Sequence, residues 1–322
     1  MASILTNFAE TLYCVTYINK LVVIVLVLAS FESAISQENL ETVVAKNGDG
    51  ILSILRNEGI DIAKYYEQFL ELNQDKLNNG SRLSVGETYV MPYAPDSFKN
   101  RGVLVQIGHG GERPIFDEEL ATLRRKDSSL INTVYYLIEH DGGEGTKVQD
   151  PLKDGIAVNM ARKLLQSGAR VYLFTSEAKD SLDLIDYVGE INKKYLRHNG
   201  DYQRLVVMNV DDVNSKTKTD VMVYHYAESV ESKRFAANIL KVFGGNVVKQ
   251  GPLEDYSKVF TDFKSIAFAK NILPPITLIN MGSKPADDEK TMKVTSDREN
   301  IANLITNGIL SDYSNTEFEE NE

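Results

Sequence analysis

Histidine, the side chain best suited to acid–base and metal chemistry near neutral pH, is scarce in this chain, and three of its four copies stand in glycine-containing loops. There are four histidines: His109 in Gly108-His109-Gly110-Gly111, His140 in His140-Asp141-Gly142-Gly143, His198 in Arg197-His198-Asn199-Gly200, and His225 in Tyr224-His225-Tyr226. Asp150, Asp211 (after Asn209-Val210) and the run Asp287-Asp288-Glu289 (after Asn280) supply carboxylates. Imidazoles and carboxylates are the usual donors to a divalent cation, and Asp141, Asp150 and Asp211 could gather round a hard one. Hydrolysis also needs a group that takes a proton from water, which an amide such as Asn280 cannot do. His198 reads as a turn residue at a helix end, and His225, inside a strand, as a packed or edge residue. The one cysteine, Cys14, lies near the N-terminus, so no cysteine metal site is expected in the folded part.

These residues need elements to hold them. From Asp127 onward, apolar runs and amphipathic segments alternate. Strands are predicted over 133–138, 170–174, 205–210, 220–226 and 275–279, and helices over 153–167, 232–243 and 297–310. Ile156, Met160, Ala161, Leu164 and Leu165 form the inward stripe of the first helix, with Gly168 at its end. The expectation is an α/β domain over 127–312, its sheet mostly parallel or mixed and covered by helices on both faces. A site belongs in the loops after the carboxyl ends of such strands, where His140-Asp141, Asn209 and Asn280 fall. Residues 93–126 are read as linker and lead-in, including a short apolar segment at 103–107, and 313–322 as an acidic disordered tail.

Upstream, Thr42–Pro92 has a different rhythm. A β-branched strand enters the turn Gly48-Asp49-Gly50. Ile51, Ile54 and Leu55 then mark a short amphipathic helix, and Tyr65, Phe69 and Leu72 mark a second over about 62–72. Gly80 and Gly86 precede a strand at 88–91 that Pro92 stops. This small βααβ unit resembles the LysM module, which binds peptidoglycan and other N-acetylglucosamine-containing glycans. The glycine-acid-glycine turn, Leu72-Asn73, Val85-Gly86 and the closing proline are in register with it. The resemblance implies a shallow groove with Gly48, Asp49, Gly50 and Ile51 on one side and Leu77, Asn78, Asn79 and Gly80 on the other. Backbone N–H and C=O groups there would meet the N-acetyl groups, which suits small residues.

The order of elements after Pro114, with the loops His140-Asp141-Gly142-Gly143, Asn209-Val210-Asp211 and Asn280-Met281-Gly282, resembles the zinc-dependent N-acetylmuramoyl-L-alanine amidase family. In that family two histidines and a glutamate hold zinc, and a second glutamate serves the metal-bound water. Carried over residue by residue, the first histidine position holds Asp141. His140 stands one place early, and a one-residue slip in a strand turns a side chain to the other face. The helix-opening glutamate falls near Pro151, with Asp150 the nearest acid. The second histidine position holds Asn209, and the base position holds Asn280. Asp141, Asp150, Asn209 and Asn280 are therefore vestigial positions, with no catalytic residue, metal or cofactor expected. The alternative is an active zinc amidase with a displaced ligand set built round His109 or His140. A third reading is a structural envelope protein in which both domains make only protein contacts.

Composition bounds the remaining possibilities. A net charge of −11 argues against nucleic acid and anionic membrane surfaces but not against a neutral sugar polymer. Lys20, the apolar run Leu21–Ala29 and the small-x-small sequence Ala34-Ile35-Ser36 read as a signal peptide over 1–36. The run is short for a membrane span, although an uncleaved anchor is the alternative. An exported protein of the periplasm or cell envelope is expected, with a glycan partner and room for an envelope protein partner.

Overall fold

The structure is a computed structural model. It describes residues 41–108, 110–141, 151–176, 184–210, 219–226, 228–243, 254–255, 263–282, 292–294 and 297–319. The segment read as a signal peptide, together with His109 and Asp150, lies outside them. The chain divides into two compact units. One joins the chain up to Gly50 with Glu67–Tyr93, and the other joins Ile51–Tyr66 with everything from Ala94 onward.

In the first unit, β1 (Thr42–Val44) pairs antiparallel with β2 (Thr88–Val90), Val43 opposite Tyr89. The helix α1 (Ile51–Asn57) belongs to the second unit, and α2 (Ile62–Leu72) begins there and ends in the first. Strand, helix, helix and strand thus occur in the order the sequence predicts. Phe69 and Tyr89 are fully buried and meet with ring centroids 6.2 Å apart. The Tyr89 hydroxyl is not wasted in this small core, because it accepts from the Ser84 N–H at 2.8 Å.

The second unit is an α/β domain around a mixed sheet in the order β11-β8-β10-β7-β5-β6-β3-β4, with β9 (Glu254–Asp255) beside β8. Five strands run parallel through its middle: β3 (Gly102–Ile107), β6 (Arg170–Ser176), β5 (Thr133–Asp141), β7 (Tyr202–Val210) and β10 (Ile276–Gly282). Antiparallel strands flank them, β4 (Gly111–Pro114) at one side and β8 (Thr219–His225) with β11 (Met292–Val294) at the other. The stretch 93–126 therefore contributes two strands to the sheet. A short turn of helix, α3 (Phe98–Arg101), leads into β3, and α4 (Pro151–Asp154) precedes α5 (Ile156–Gln166).

Alternation along the strands sorts the core into two layers. Tyr135 and Leu137 of β5, Val206 and Met208 of β7, and Ile279 of β10 pack under α5, α7 (Val230–Phe243) and α9 (Arg298–Glu319). Tyr136, Ile138, Leu205, Val207 and Leu278 face the other way, toward Tyr187, Ile191 of α6 (Val188–Arg197) and Phe268 of α8 (Phe263–Asn271). Gly308 in α9 is where the helix layer closes tightest, since a Cβ there would stand 2.7 Å from the Ile239 Cα. That approach explains a glycine in a helix interior, where it otherwise costs about 1 kcal/mol.

One expectation needs correction. Residues 313–319, read as part of a disordered tail, continue α9 to Glu319. Tyr313 packs edge-on against Tyr202, centroids 5.1 Å apart, and its hydroxyl donates to the Ile131 carbonyl. Burying one aromatic ring extends the helix past the point where composition alone turns polar.

Candidate functional site

Strand register decides which side chains share the carboxyl end of the sheet. His140 of β5 stands opposite Asn209 of β7, and Asn209 opposite Asn280 of β10. The three lie in one row across adjacent parallel strands and continue the face of Ile138, Val207 and Leu278. Asp141 stands opposite Val210, one residue further along. Its side chain is outside the described residues. The row is thus built on His140 and not on Asp141.

The chemistry of this row is that of amides and one neutral imidazole. Asn209 donates from Nδ2 to the Asn280 Oδ1 at 2.9 Å, so one hydrogen bond joins the two amides. His140 meets the edge of Tyr187 at 5.9 Å, and burial holds its pKa below the ordinary histidine range. Its Nε2 is buried with no hydrogen-bond partner among the described residues, an orphan that costs free energy until something accepts from or donates to it. Next to it, Glu139 points to the opposite face. Its carboxylate accepts from the Ile156 and Ala157 N–H groups at 3.3 and 2.7 Å and from Arg298 at 3.2 Å. It therefore caps α5, whose own N-cap, Gly155, has no side chain to offer. Sequence reasoning missed Glu139. The clue was available, a carboxylate at a strand end just before a helix that starts on glycine.

Among the described residues, this row offers zinc one imidazole and two amides joined by a hydrogen bond, and no group of three His, Cys, Asp or Glu gathers there. His109, Asp150 and the Asp141 side chain are not described.

The other two histidines are structural. His225 ends β8 buried, with Nδ1 3.1 Å from the Tyr226 carbonyl oxygen. His198 caps the end of α6 as expected, and its Nε2 lies 2.7 Å from the Tyr172 hydroxyl oxygen. Burial, then the cations Arg170, Arg197 and Lys194, push its pKa down to about 4 from 6.5. Between those two values the unfolded chain takes up a proton that the folded chain refuses. Stability is therefore complete above the unfolded value and falls as pH drops through this window. Thermal denaturation followed at several pH values should show the midpoint declining from pH 6.5 to 4, with a shallower decline in His198→Asn.

In the first unit the two loops suggested for glycan contact are each held by their own hydrogen bonds. The Gly48 turn is closed by the Lys46 N–H on the Asp49 carboxylate at 2.8 Å. Asn78 and Arg82 exchange two backbone bonds of 2.9 Å, and Asn78 Nδ2 donates to Ser84 Oγ at 2.7 Å. Asn79 and Gly80 both take left-handed backbone, φ 50° and 78°, at an exposed tip. Leu77 is half-buried beneath that tip, Gly50 is exposed, and Ile51 is a buried core residue of the second unit. The Ile51 side chain is thus not offered to a ligand.

No protein-family description matches this chain, and no curated protein matches it. Solved structures similar to it include the catalytic domain of the CD27L endolysin targeting Clostridia difficile, at 18% identity and a TM-score of 0.34, covering 56% of this chain and 97% of that one. The CwlD amidase from Clostridioides difficile, solved with the GerS lipoprotein, is 14% identical with a TM-score of 0.33 over 56% and 98% of the two chains. The catalytic domain of CwlV, an N-acetylmuramoyl-L-alanine amidase from Bacillus (Paenibacillus) polymyxa var. colistinus, is 15% identical with a TM-score of 0.35 over 56% and 97%. At these TM-scores, none of the likenesses assigns an activity or a family to this chain.

Proposed function

We propose that this chain is an exported peptidoglycan-binding protein. Its Thr42–Pro92 segment is a LysM-like glycan grip, and its α/β domain is an N-acetylmuramoyl-L-alanine amidase-like scaffold that no longer hydrolyses. The observation that carries this reading is the hydrogen bond between Asn209 and Asn280 at the carboxyl ends of the central strands. A metal-assisted amidase needs an imidazole at the first position and a carboxylate at the second. Two amides bonded to each other can neither deliver a ligand of the right softness nor take a proton from water. Loss of the base alone costs roughly 10²–10⁴ in rate, and loss of the metal removes the nucleophile as well.

The glycan grip is supported by the βααβ order, by the exposed left-handed tip at Asn79 and Gly80, and by a net charge that leaves neutral polymers as fitting partners. Export is supported by the sequence of residues 1–36 alone. Among the described residues no helix is long and apolar enough to cross a membrane.

One observation favours a second reading. The partnerless Nε2 of His140 is the kind of atom a bound metal would satisfy, and an active zinc amidase built on His140 or His109 would use it. Purified full-length protein separates the two. The binding protein is expected to carry well under one zinc per chain, to co-sediment with peptidoglycan sacculi, and to release no peptide from them. Tightly held stoichiometric zinc with peptide release establishes the enzyme instead. Failure to sediment with sacculi removes the glycan grip.

A further inference from the structure

A cavity of about 290 Å³ opens in the second unit against the end of α1 and the start of α2, and none of the row residues lines it. Its inner walls are apolar, formed by Ile60, Phe98, Leu120 and Leu123. Three arginines, Arg56, Arg124 and Arg125, also line it. The two carboxylates present are already engaged. Asp61 caps α2 by accepting from the Ala63 N–H at 3.0 Å. Asp96 accepts from the Tyr65 hydroxyl at 2.5 Å and from the Lys64 ammonium at 2.9 Å. Arg124 turns its Nη1 to the carbonyls of Ala121 and Leu123. The side chains of Arg56 and Arg125, by contrast, have neither a hydrogen-bond nor an ion-pair partner among the described residues, and the Arg56 Nε is buried.

Two unmatched guanidinium groups over apolar walls are unusual on a chain whose net charge is −11. Guanidinium groups are the side chains best shaped to hold a planar carboxylate through paired hydrogen bonds. The cavity stands near the lower end of the volumes that hold small ligands. Its apolar walls suit an aliphatic body and would strip water from a bare phosphate without replacing it.

We propose that this cavity binds a small acylated amino acid or peptide C-terminus, with the carboxylate against Arg56 and Arg125 and the aliphatic side chain against Leu120 and Leu123. The inference stands apart from the glycan grip and does not need it.

Isothermal titration of the full chain with N-acetyl-leucine, N-acetyl-leucinamide and inorganic phosphate tests it. The free acid is expected to bind, and the carboxamide at least tenfold more weakly, the loss of one charge-assisted pair. Arg56→Gln/Arg125→Gln should weaken the acid at least as much while sedimentation with sacculi is unchanged. If the double variant loses its thermal midpoint, the exposed Arg125→Gln alone carries the comparison and should weaken the acid severalfold. No binding of the acid, equal binding of acid and amide, binding untouched by the variants, or phosphate binding as tightly as the acid each overturns the proposal. Loss of sacculus binding in wild-type protein with acid binding intact would refute the glycan grip and leave this cavity standing.

Discussion

Asp312→Ala is expected to destabilise the second unit by about 3–5 kcal/mol, the cost typical of stripping a buried ion pair of one member. Asp312 is fully buried in α9. Its carboxylate accepts from the Tyr202 hydroxyl, from Arg204 Nε at 3.3 Å, from Arg234 Nε at 3.3 Å and from Asn238 Nδ2 at 2.9 Å. One residue thereby joins β7, α7 and α9. Arg204 is the partner that makes the deletion expensive. It is only 5% exposed and lies over the Tyr202 ring at 3.9 Å, so without Asp312 its charge stays in the core with no carboxylate to meet it. Arg234 is more exposed and recovers much of its loss in water. In a domain of this size the penalty corresponds to a drop of roughly 10 °C or more in thermal midpoint. Circular dichroism melts of the variant against wild type read it directly. Asp312→Asn, which keeps the shape and some acceptors, should fall between the two. A loss below about 1 kcal/mol would mean that the network is not desolvated as described.

Asp312 also shows why parts of the fold were hidden in the sequence. The strands β5, β6, β7, β8 and β10 were legible because each buried run is apolar and short, and α5 because its stripe keeps helical spacing, whereas β3 was read as part of the lead-in and β4, β9 and β11 were not read at all. The helix α6 was not, because a charge occupies a core position. Lys194 is 1% exposed, lies over the Tyr172 ring at 4.7 Å and pairs with Glu112 of β4 at 2.5 Å. That distant partner, with the Tyr172 ring beneath, makes a buried lysine tolerable, and no local window contains either. The end of α9 was lost for the same reason, since Asp312 looks like a surface residue until Arg204 and Tyr202 are placed round it. At the candidate site, the family resemblance pointed to the two amides. What they could not give was the row. Strand pairing sets His140 level with Asn209, and Glu139 faces away to cap α5. A one-residue difference in register separates a ligand position from a structural cap.

Asn73→Ala is expected to unfold the first unit and abolish sedimentation with sacculi while the second unit stays folded. Asn73 is 2% exposed and does the work of a missing strand. Its Nδ2 donates to the carbonyls of Phe69 and Val90, both at 2.8 Å, and its Oδ1 accepts from the Val90 N–H at 2.7 Å. It thus ties the last turn of α2 to the side of β2 that β1 does not cover. Alanine leaves the Val90 N–H and carbonyl partly buried without these partners. At about 1 kcal/mol for each of three bonds, with more for orphaned backbone groups, the loss is roughly 3 kcal/mol or greater. A unit this small buries too little surface to hold more than a few kcal/mol in reserve. The loop from Asn78 to Arg82 follows directly from Asn73 through the backbone bonds of Lys76 and Leu77 to its carbonyl, so the proposed glycan contacts lose their anchor with it. Asn73→Asp separates fold from charge. It keeps the acceptor for Val90 N–H but sets a carboxylate against two carbonyls, and should be nearly as damaging. Hydrogen exchange on the full chain distinguishes the units, with protection lost in 67–93 and kept in β5, β7 and β10. Retained protection at Val90 together with lost glycan binding would place the effect in the sugar contact itself and not in the fold.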